Sequence, residues 1–509
     1  MAIACVKTRA NKGVDAPSVT VEVHLSNGLP AFNLVGLPET SVKESKERVR
    51  SAIINTGFEF PVRRITVNLA PADLPKQGGR YDLPIAIGIL AASGQIPHGS
   101  ITSLEFIGEL ALSGHIRHCQ GLIPVIVSAQ KQQVGIILPT DNQDDAVLVG
   151  YTNVHFANTL QSLCAFLHGQ TRLPSIGSDV HWQDPPSQHS ANNVGCLSDI
   201  LGQQQAKLGL EIAAAGDHNL LMMGPPGTGK TMLASRILGI LPNLNYQEAL
   251  EVATLYSVAG QTIEKNTFFS RKFRNPHHTS SAISLIGGGS IPQPGEISLA
   301  HKGVLFLDEI AEFPRKVLDC LREPMETGEI VISRAAAKLT YASQFQLIAA
   351  MNPSPCGDIN NPRANPDQIL RYLSRLSGPF LDRFDLSLDV PKLPVGALNS
   401  PHSQQETSQT IAIRVKKARE IQLERSGVLN SELTGTQLKK TNWFHPADLI
   451  YLEEILNKLG LSVRSYHKIQ RVARTIADLK HAKNIDRSHI AQALSYRAID
   501  KLFNTLKAY

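Results

Sequence analysis

The chain is poor in the features that staple or anchor a protein. Its six cysteines are scattered through 509 residues without a CxxC pair, which argues against a disulfide scaffold and for reduced thiols in a cytoplasm. No apolar run approaches the roughly 18 residues of a membrane span, and Met1 to Val6 is too short for the core of a signal peptide. A cytoplasmic location with no membrane partner is expected. Charged residues are modest at 18%, beside a hydrophobic content of 42%, the balance of an ordinary soluble globular protein. The length exceeds a single hydrophobic core and predicts about three domains.

Composition marks the divisions. Residues 171–196, TRLPSIGSDVHWQDPPSQHSANNVGC, are rich in Pro, Ser, Asn and Gln and lack periodicity, as a linker does. A second polar stretch runs from Pro391 to Thr410. The expected pieces are an α+β or α/β domain over 1–170, an α/β domain over 197–395, and a helical domain over 396–509. In the last, Ile469, Val472, Ala473, Ile476 and Leu479 recur at helical spacing. From residue 400 onward 18 basic residues face 10 acidic ones, within a chain of net charge +6, so the excess base lies at the C-terminal end. Basic helices attract polyanions such as nucleic acid, and a solvated helix face is the alternative.

Residues 224–231 read GPPGTGKT, between the apolar run Leu220–Met223 and the helix-forming stretch Met232–Leu241. Gly224, Gly227 and Gly229, with Pro225, Pro226 and Thr228 between them, fit a loop whose N–H groups face phosphate oxygens. Lys230 is placed for the β and γ phosphates, and Thr231 for Mg²⁺. An ordinary glycine-rich turn is the competing reading, opposed by the flanking strand and helix signals. The run GVLFLDE, Gly303–Glu309, reads as a buried parallel strand ending in two carboxylates. Asp308 is expected to hold the Mg²⁺ shell, and Glu309 to polarise the attacking water. A third apolar run, Gln346–Met351, ends at Asn352, which can help to place that water. Arg383, in the turn SGPFLDRFDL, either reaches a neighbouring subunit's γ phosphate or pairs with Asp382 or Asp385.

GPPGTGKT, NPHHTSS (275–281), IGGGSIPQPGEISLAHKGVLFLDE (286–309), MNPSPCG (351–357) and LSGPFLDRFDL together resemble the Mg-chelatase-like branch of the AAA+ ATPases. The resemblance implies a P-loop α/β ATPase domain at 197–395 and a helical lid at 396–509. It implies ATP and Mg²⁺ as cofactors, Asn352 as sensor 1, Arg383 as arginine finger and Arg464 as the sensor 2 arginine. Proteins of this kind work as rings, usually hexamers. Within the branch, the whole chain is similar to bacterial proteins of natural transformation. That implies a ring-shaped DNA helicase promoting branch migration as incoming single strands are integrated by recombination. Its partners would be single-stranded and branched DNA and, in some cases, a strand-exchange recombinase. A Mg-chelatase-type motor and a protein-remodelling ATPase are the alternatives.

The first domain resembles the proteolytic domain of Lon (ribosomal S5 domain 2-like) in DLPKQGGRYDLPIAIGIL (73–90) and FIGELALSGHIRHCQGLIPVI (106–126). Lon uses a serine activated by a lysine. Here Pro75–Leu90 contains no serine, with Asp82 near its place, and Ile123 falls where the lysine belongs. Isoleucine cannot take a proton, so a non-proteolytic domain is expected. Lys76, Arg80, Arg63 and Arg64 are candidate nucleic-acid contacts, with salt bridges as the alternative.

Between the phosphate-loop helix and the acidic strand the sequence predicts a helix at Tyr246–Val258 and a Gly/Pro-rich loop at Ile286–Ile297, which resembles the helix 2 insertion of the branch. TGEIVISRAAAKLTYASQFQ reads as a two-stranded hairpin, with Arg334 and Lys338 as candidate DNA-phosphate contacts or plain surface charge. The adjacent His277 and His278 would diverge on a strand, which favours a loop-ordering role over a metal site. Cys356 alone provides too few soft ligands for structural zinc.

Overall fold

The computed structural model describes residues 3–177, 195–289, 292–334, 337–358, 365–394, 405–440, 443–459 and 462–507. Most of the expected linker at 171–196 and half of the polar stretch 391–410 lie outside them. The chain forms two compact units, one drawn from residues 1–185 and 245–269, the other from 186–244 and 270–509. The backbone therefore leaves the second unit after Leu244 and re-enters it at Ser270.

The first unit is built on a seven-stranded mixed sheet. Its antiparallel part pairs Ile3–Arg9 with Ser18–Ser26 and the latter with Arg64–Ala70; Leu104–Phe106, Gly135–Pro139 and Val154–Ala157 extend it in parallel. Strict alternation of Val19, Val21, Val23 and Leu25 explains the half-buried strand at Ser18–Ser26. Helix Asp82–Ala92 is buried at every residue, and an added Cβ at Gly88 would lie 2.5 Å from Val23 Cγ2. The helix Tyr246–Val258, expected inside the ATPase domain, belongs here. Its Tyr246 hydroxyl donates to Val149 O at 2.7 Å, and Ser257 Oγ accepts from Ile123 N at 3.3 Å. Phe268, whose ring lies 6.1 Å from that of Tyr246, and Phe269 are buried.

The second unit has a five-stranded sheet in the order Phe273–Arg274, Val304–Leu307, Gln346–Met351, Leu220–Met223, Leu386–Asp389. Every pairing is parallel. Three of the four longer strands are apolar almost throughout and buried, because helices cover both faces; the fourth, at the sheet edge, alternates Leu386 and Leu388 with Ser387 and the exposed Asp389. The C-terminal helices Ser408–Ser426 and Val463–Leu479 pack on helix Gln204–Gly216, burying Ile411, Val415 and Ala418 with Ile469, Val472, Ala473 and Ile476. The helical periodicity read from the last five positions is thus a core-facing stripe. A separate antiparallel hairpin joins Glu329–Arg334 to Ala337–Ala342. No described helix is long and apolar enough to cross a membrane.

Candidate nucleotide site

All five strands of the second sheet run the same way, so their carboxyl ends share one edge. Gly224, Asp308 and Asn352 each directly follow a strand on that edge. Gly224 is required there because an added Cβ would lie 2.2 Å from Val390 O. Gly227 and Gly229 have φ of 78° and 87°, a left-handed backbone that glycine adopts without strain. The Thr228 hydroxyl closes the loop onto Pro225 O at 3.0 Å, and the helix begins at Lys230.

The Lys230 ammonium donates to Gly224 O at 2.7 Å, Pro225 O at 2.9 Å and Asn352 Oδ1 at 3.3 Å. Burial lowers its pKa, against the opposing pull of Asp308 and Glu309. The Thr231 hydroxyl donates to Asp308 Oδ2 at 2.7 Å. A hydroxyl beside a carboxylate is an all-oxygen donor set, the kind that suits Mg²⁺. Among the described residues no cluster of three or more His, Cys, Asp or Glu could hold a metal. Glu309 is exposed and adopts a left-handed φ of 50°, unusual for a residue with a side chain and a conformation that collects at functional sites. His278 Nδ1 approaches Glu309 Oε2 at 3.8 Å.

That histidine was not foreseen beside the carboxylate. His277 and His278 follow the short strand Phe273–Arg274, and their rings lie 4.1 Å apart, tilted against each other, so they do not diverge. His277 meets Thr279 Oγ1 at 2.8 Å and orders the loop, while His278 faces the acid. The signal in the sequence was position: NPHH follows a strand that ends on the same edge as Asp308. Tyr372 was also missed. It is buried near Asn352, and burial and Glu312 push its pKa up to about 12.

Arg383 and Arg464 lie elsewhere. Asp385 N and Asn219 O bond at 3.0 Å, and Asn219 Nδ2 donates to Arg383 O at 3.1 Å. Asn219 and Asp385 immediately precede the paired residues Leu220 and Leu386, so Arg383 occupies the amino edge of the sheet. At about 3.3 Å per residue, the phosphate loop is on the order of 10 Å or more away across the strands. The Arg383 guanidinium pairs with Glu326, and not with Asp382 or Asp385 as its sequence neighbours suggested. Asp382 approaches Arg464 at 3.6 Å. Lys468, one turn beyond Arg464, donates to the carbonyls of Asp382 and Phe384 on either side of Arg383, the latter at 2.9 Å. Burial lowers the Lys468 pKa to about 8. Asp385, beside it, is held down to about 2: burial opposes ionisation, but the His218 hydrogen bond and the Lys468 charge outweigh it.

The candidate nucleic-acid contacts divide. Register pairs Arg334 with Ala337 and Ser333 with Lys338, which puts Arg334 on the face of buried Ile330 and Ile332 and Lys338 on the exposed face. Arg334 reaches back to the Gly288 loop, where an added Cβ would lie 3.1 Å from its Nη2. The two residues thus cannot form one phosphate clamp. In the first unit Lys76 and Arg80 are buried; Lys76 donates to Pro71 O, and Arg80 to Asn11 Oδ1 at 2.6 Å and Gln120 O at 2.5 Å. They are structural, and of that group Arg63 and Arg64 are exposed. Asp82 is fully buried and gripped by Arg48 at 2.7 and 3.0 Å. Burial pushes its pKa up to about 6 against the Arg48 contact. Much of the C-terminal base is also internal: Arg414 binds Glu211, Arg419 binds Asp217, and Arg425 and Arg474 bind Asp478. Lys416, Lys417, Lys480 and Lys483 remain exposed.

Comparison with known proteins bears on the same regions. Residues 196–398 match the family described as magnesium chelatase, subunit ChlI; residues 21–142 match subunit ChlI of Mg-chelatase, and 405–497 its C-terminal part. The chain is 53% identical over 508 residues to the competence protein ComM of Haemophilus influenzae, covering 99% of both. It is 51% identical over 504 residues to the uncharacterized protein YifB of Escherichia coli, covering 99% of this chain and 98% of that one. The magnesium-chelatase 38 kDa subunit of Cereibacter sphaeroides is 24% identical over 338 residues, 59% of this chain and 91% of the subunit.

Proposed function

Because the chain belongs to the magnesium-chelatase-like family that includes ComM and YifB, we propose that it is an AAA+ ATPase working as a ring, a DNA motor of competence and recombination. The observation that supports hydrolysis is the meeting of Lys230, Thr231, Asp308, Glu309 and Asn352 at one sheet edge. The residues present fit Mg²⁺ and a nucleoside triphosphate. Gly224–Thr231 would cradle the phosphates, Thr231 and Asp308 would hold the ion, and the ion would neutralise charge on the phosphate oxygens. Lys230 contributes a cation at the end of the loop, and Glu309 accepts a proton from the attacking water. Asn352, anchored at the next strand end, orients that water.

The placement of Arg383 supports ring assembly. An arginine at the amino edge cannot serve the phosphate loop of its own chain, so its catalytic use requires a neighbour. Arg464 shares that edge and would act on the same neighbour. A hexamer is the closed form proposed.

The DNA reading draws on similarity to ComM along the whole chain, whereas the magnesium-chelatase subunit matches a part. Lys338 on the exposed face of the hairpin is the proposed channel contact, and the first unit is a non-proteolytic Lon-like platform. Purified protein should displace a labelled strand from three- and four-stranded DNA junctions with ATP and not without it. If DNA neither moves nor stimulates hydrolysis, a protein-remodelling or chelatase-type role replaces the DNA motor. A cytoplasmic site of action, single-stranded and branched DNA as substrates, and a strand-exchange recombinase as partner complete the proposal.

A further inference from the structure

Arg383 has company at the amino edge of the sheet. Its partner Glu326 lies on helix Arg322–Thr327, and the residue four positions before Glu326, one turn away, is Arg322. Arg464 approaches the same turn through Asp382. Guanidinium groups therefore converge from three chain segments: the helix at 322–327, the turn at 383 and the start of the helix at 463–479.

The local acids satisfy them incompletely. Arg322 approaches Asp319 at 3.8 Å and Arg464 approaches Asp382 at 3.6 Å, both beyond hydrogen-bond length. The Nε atoms of Arg322 and Arg383 are buried and have no hydrogen-bond partner. After burial, the charges of Arg464 and Arg322 are what lower the Arg383 pKa. Donors crowded against one another and short of acceptors are organised for an anion with more oxygens than a carboxylate has. A phosphate supplies them.

We infer that Arg322, Arg383 and Arg464 together bind the terminal phosphate of a nucleoside triphosphate held by a second copy of this chain, with Glu326 occupying Arg383 until that phosphate displaces it. This rests on the ring-ATPase reading above and adds Arg322 and Glu326 to it. The phosphate loop of the same chain is at the opposite edge of the sheet, so the triphosphate must come from another copy. The three side chains break no bond; they donate hydrogen bonds to oxygens on which charge builds during transfer to water.

The test is steady-state ATP hydrolysis by full-length variants. Arg322→Ala should lower kcat by roughly ten- to a hundredfold, with unchanged binding of a fluorescent ATP analogue to its own loop. Arg322→Lys should recover part of the rate, which loss of fold would not allow. Mixing Arg322→Ala with Lys230→Ala should restore turnover, since one supplies an intact loop and the other intact arginines. Glu326→Gln should hydrolyse faster than the parent, because Arg383 is no longer held by a carboxylate; unchanged or slower turnover overturns the displacement of Glu326 by phosphate. Normal turnover of Arg322→Ala beside an inactive Arg383→Ala overturns the three-arginine site and leaves the ATPase reading standing. No recovery in the mixture overturns action between copies. A parent protein without ATP hydrolysis, or a fully active Arg383→Ala, overturns the underlying reading itself.

Discussion

Glu309 combines an exposed carboxylate, a left-handed backbone and a histidine neighbour, a set that costs local strain and is retained where chemistry needs it. Glu309→Gln keeps the size and removes the proton acceptor. It should bind ATP with normal affinity and lose turnover by about 10²–10⁴-fold, as read by phosphate release beside a nucleotide titration. Near-normal release would remove Glu309 from the water-activating role. Asp308→Asn acts differently, because Asp308 and Thr231 share one hydrogen bond. Its nucleotide affinity should fall in Mg²⁺ and change little in EDTA. The motif residues of this site were legible in the chain because each carries its own local signal, a glycine pattern or an apolar run with a polar end, while strand order brings those ends together. His278 was not, since its use depends on which strand its loop follows.

At the scale of elements, helix Val463–Leu479 clamps the Arg383 turn through Lys468. Lys468→Met removes the two hydrogen bonds to the carbonyls of Asp382 and Phe384 and one of the positive charges that hold Asp385 ionised, a loss of about 1–3 kcal/mol, visible as a lower melting temperature. The same network has a pH signature. Asp385 titrates near 2 in the folded chain, below the ordinary value of about 3.9. Its contribution to stability is therefore complete above about pH 4 and is lost as pH falls toward 2, on the order of 2 kcal/mol. In acid melts, Asp385→Asn should flatten that limb while lowering stability at pH 7. On the hairpin, register separates two basic residues that looked equivalent. Lys338→Glu should weaken DNA binding and reduce its salt dependence by about one counterion or more. Arg334→Ala should alter stability more than DNA affinity, because its side chain lies against the Gly288 loop.

Across the whole molecule, the chain passes between its two units three times, after residues 185, 244 and 269. Residues 245–269, which connect the phosphate-loop helix to the strand before His278, bury Val252, Ala253, Phe268 and Phe269 within the first unit. A fragment beginning at residue 196 would leave those groups without partners. It should bind a hydrophobic dye and aggregate, and replacing 245–269 by a short polar linker should restore solubility. A monodisperse fragment with the segment intact would argue that these residues need no partner. Composition suggested cuts in series along the chain, because linkers show in composition. An excursion that returns does not, since its helix is patterned like any other.

By itself, the sequence determined the glycine-rich loop 224–231, the apolar strands that end at Asp308 and Asn352, and the apolar stripe of the last domain. Gly224, Gly227 and Gly229 can do one thing well in that order, an apolar run ending in Asp308 and Glu309 can be little but a strand end, and Ile469 to Leu479 had to present one face to a core. These are short-range facts: bond geometry, side-chain size and periodicity act over a few residues. Tertiary structure decided the rest. It put Arg383 and Arg464 at the edge opposite Lys230, buried Lys76 and Arg80, turned Arg334 and Lys338 to opposite faces, and gave residues 245–269 to the first unit. Each of those outcomes turns on strand order, register or packing between residues far apart in the chain, where free energy is shared by many weak contacts and no single residue announces it.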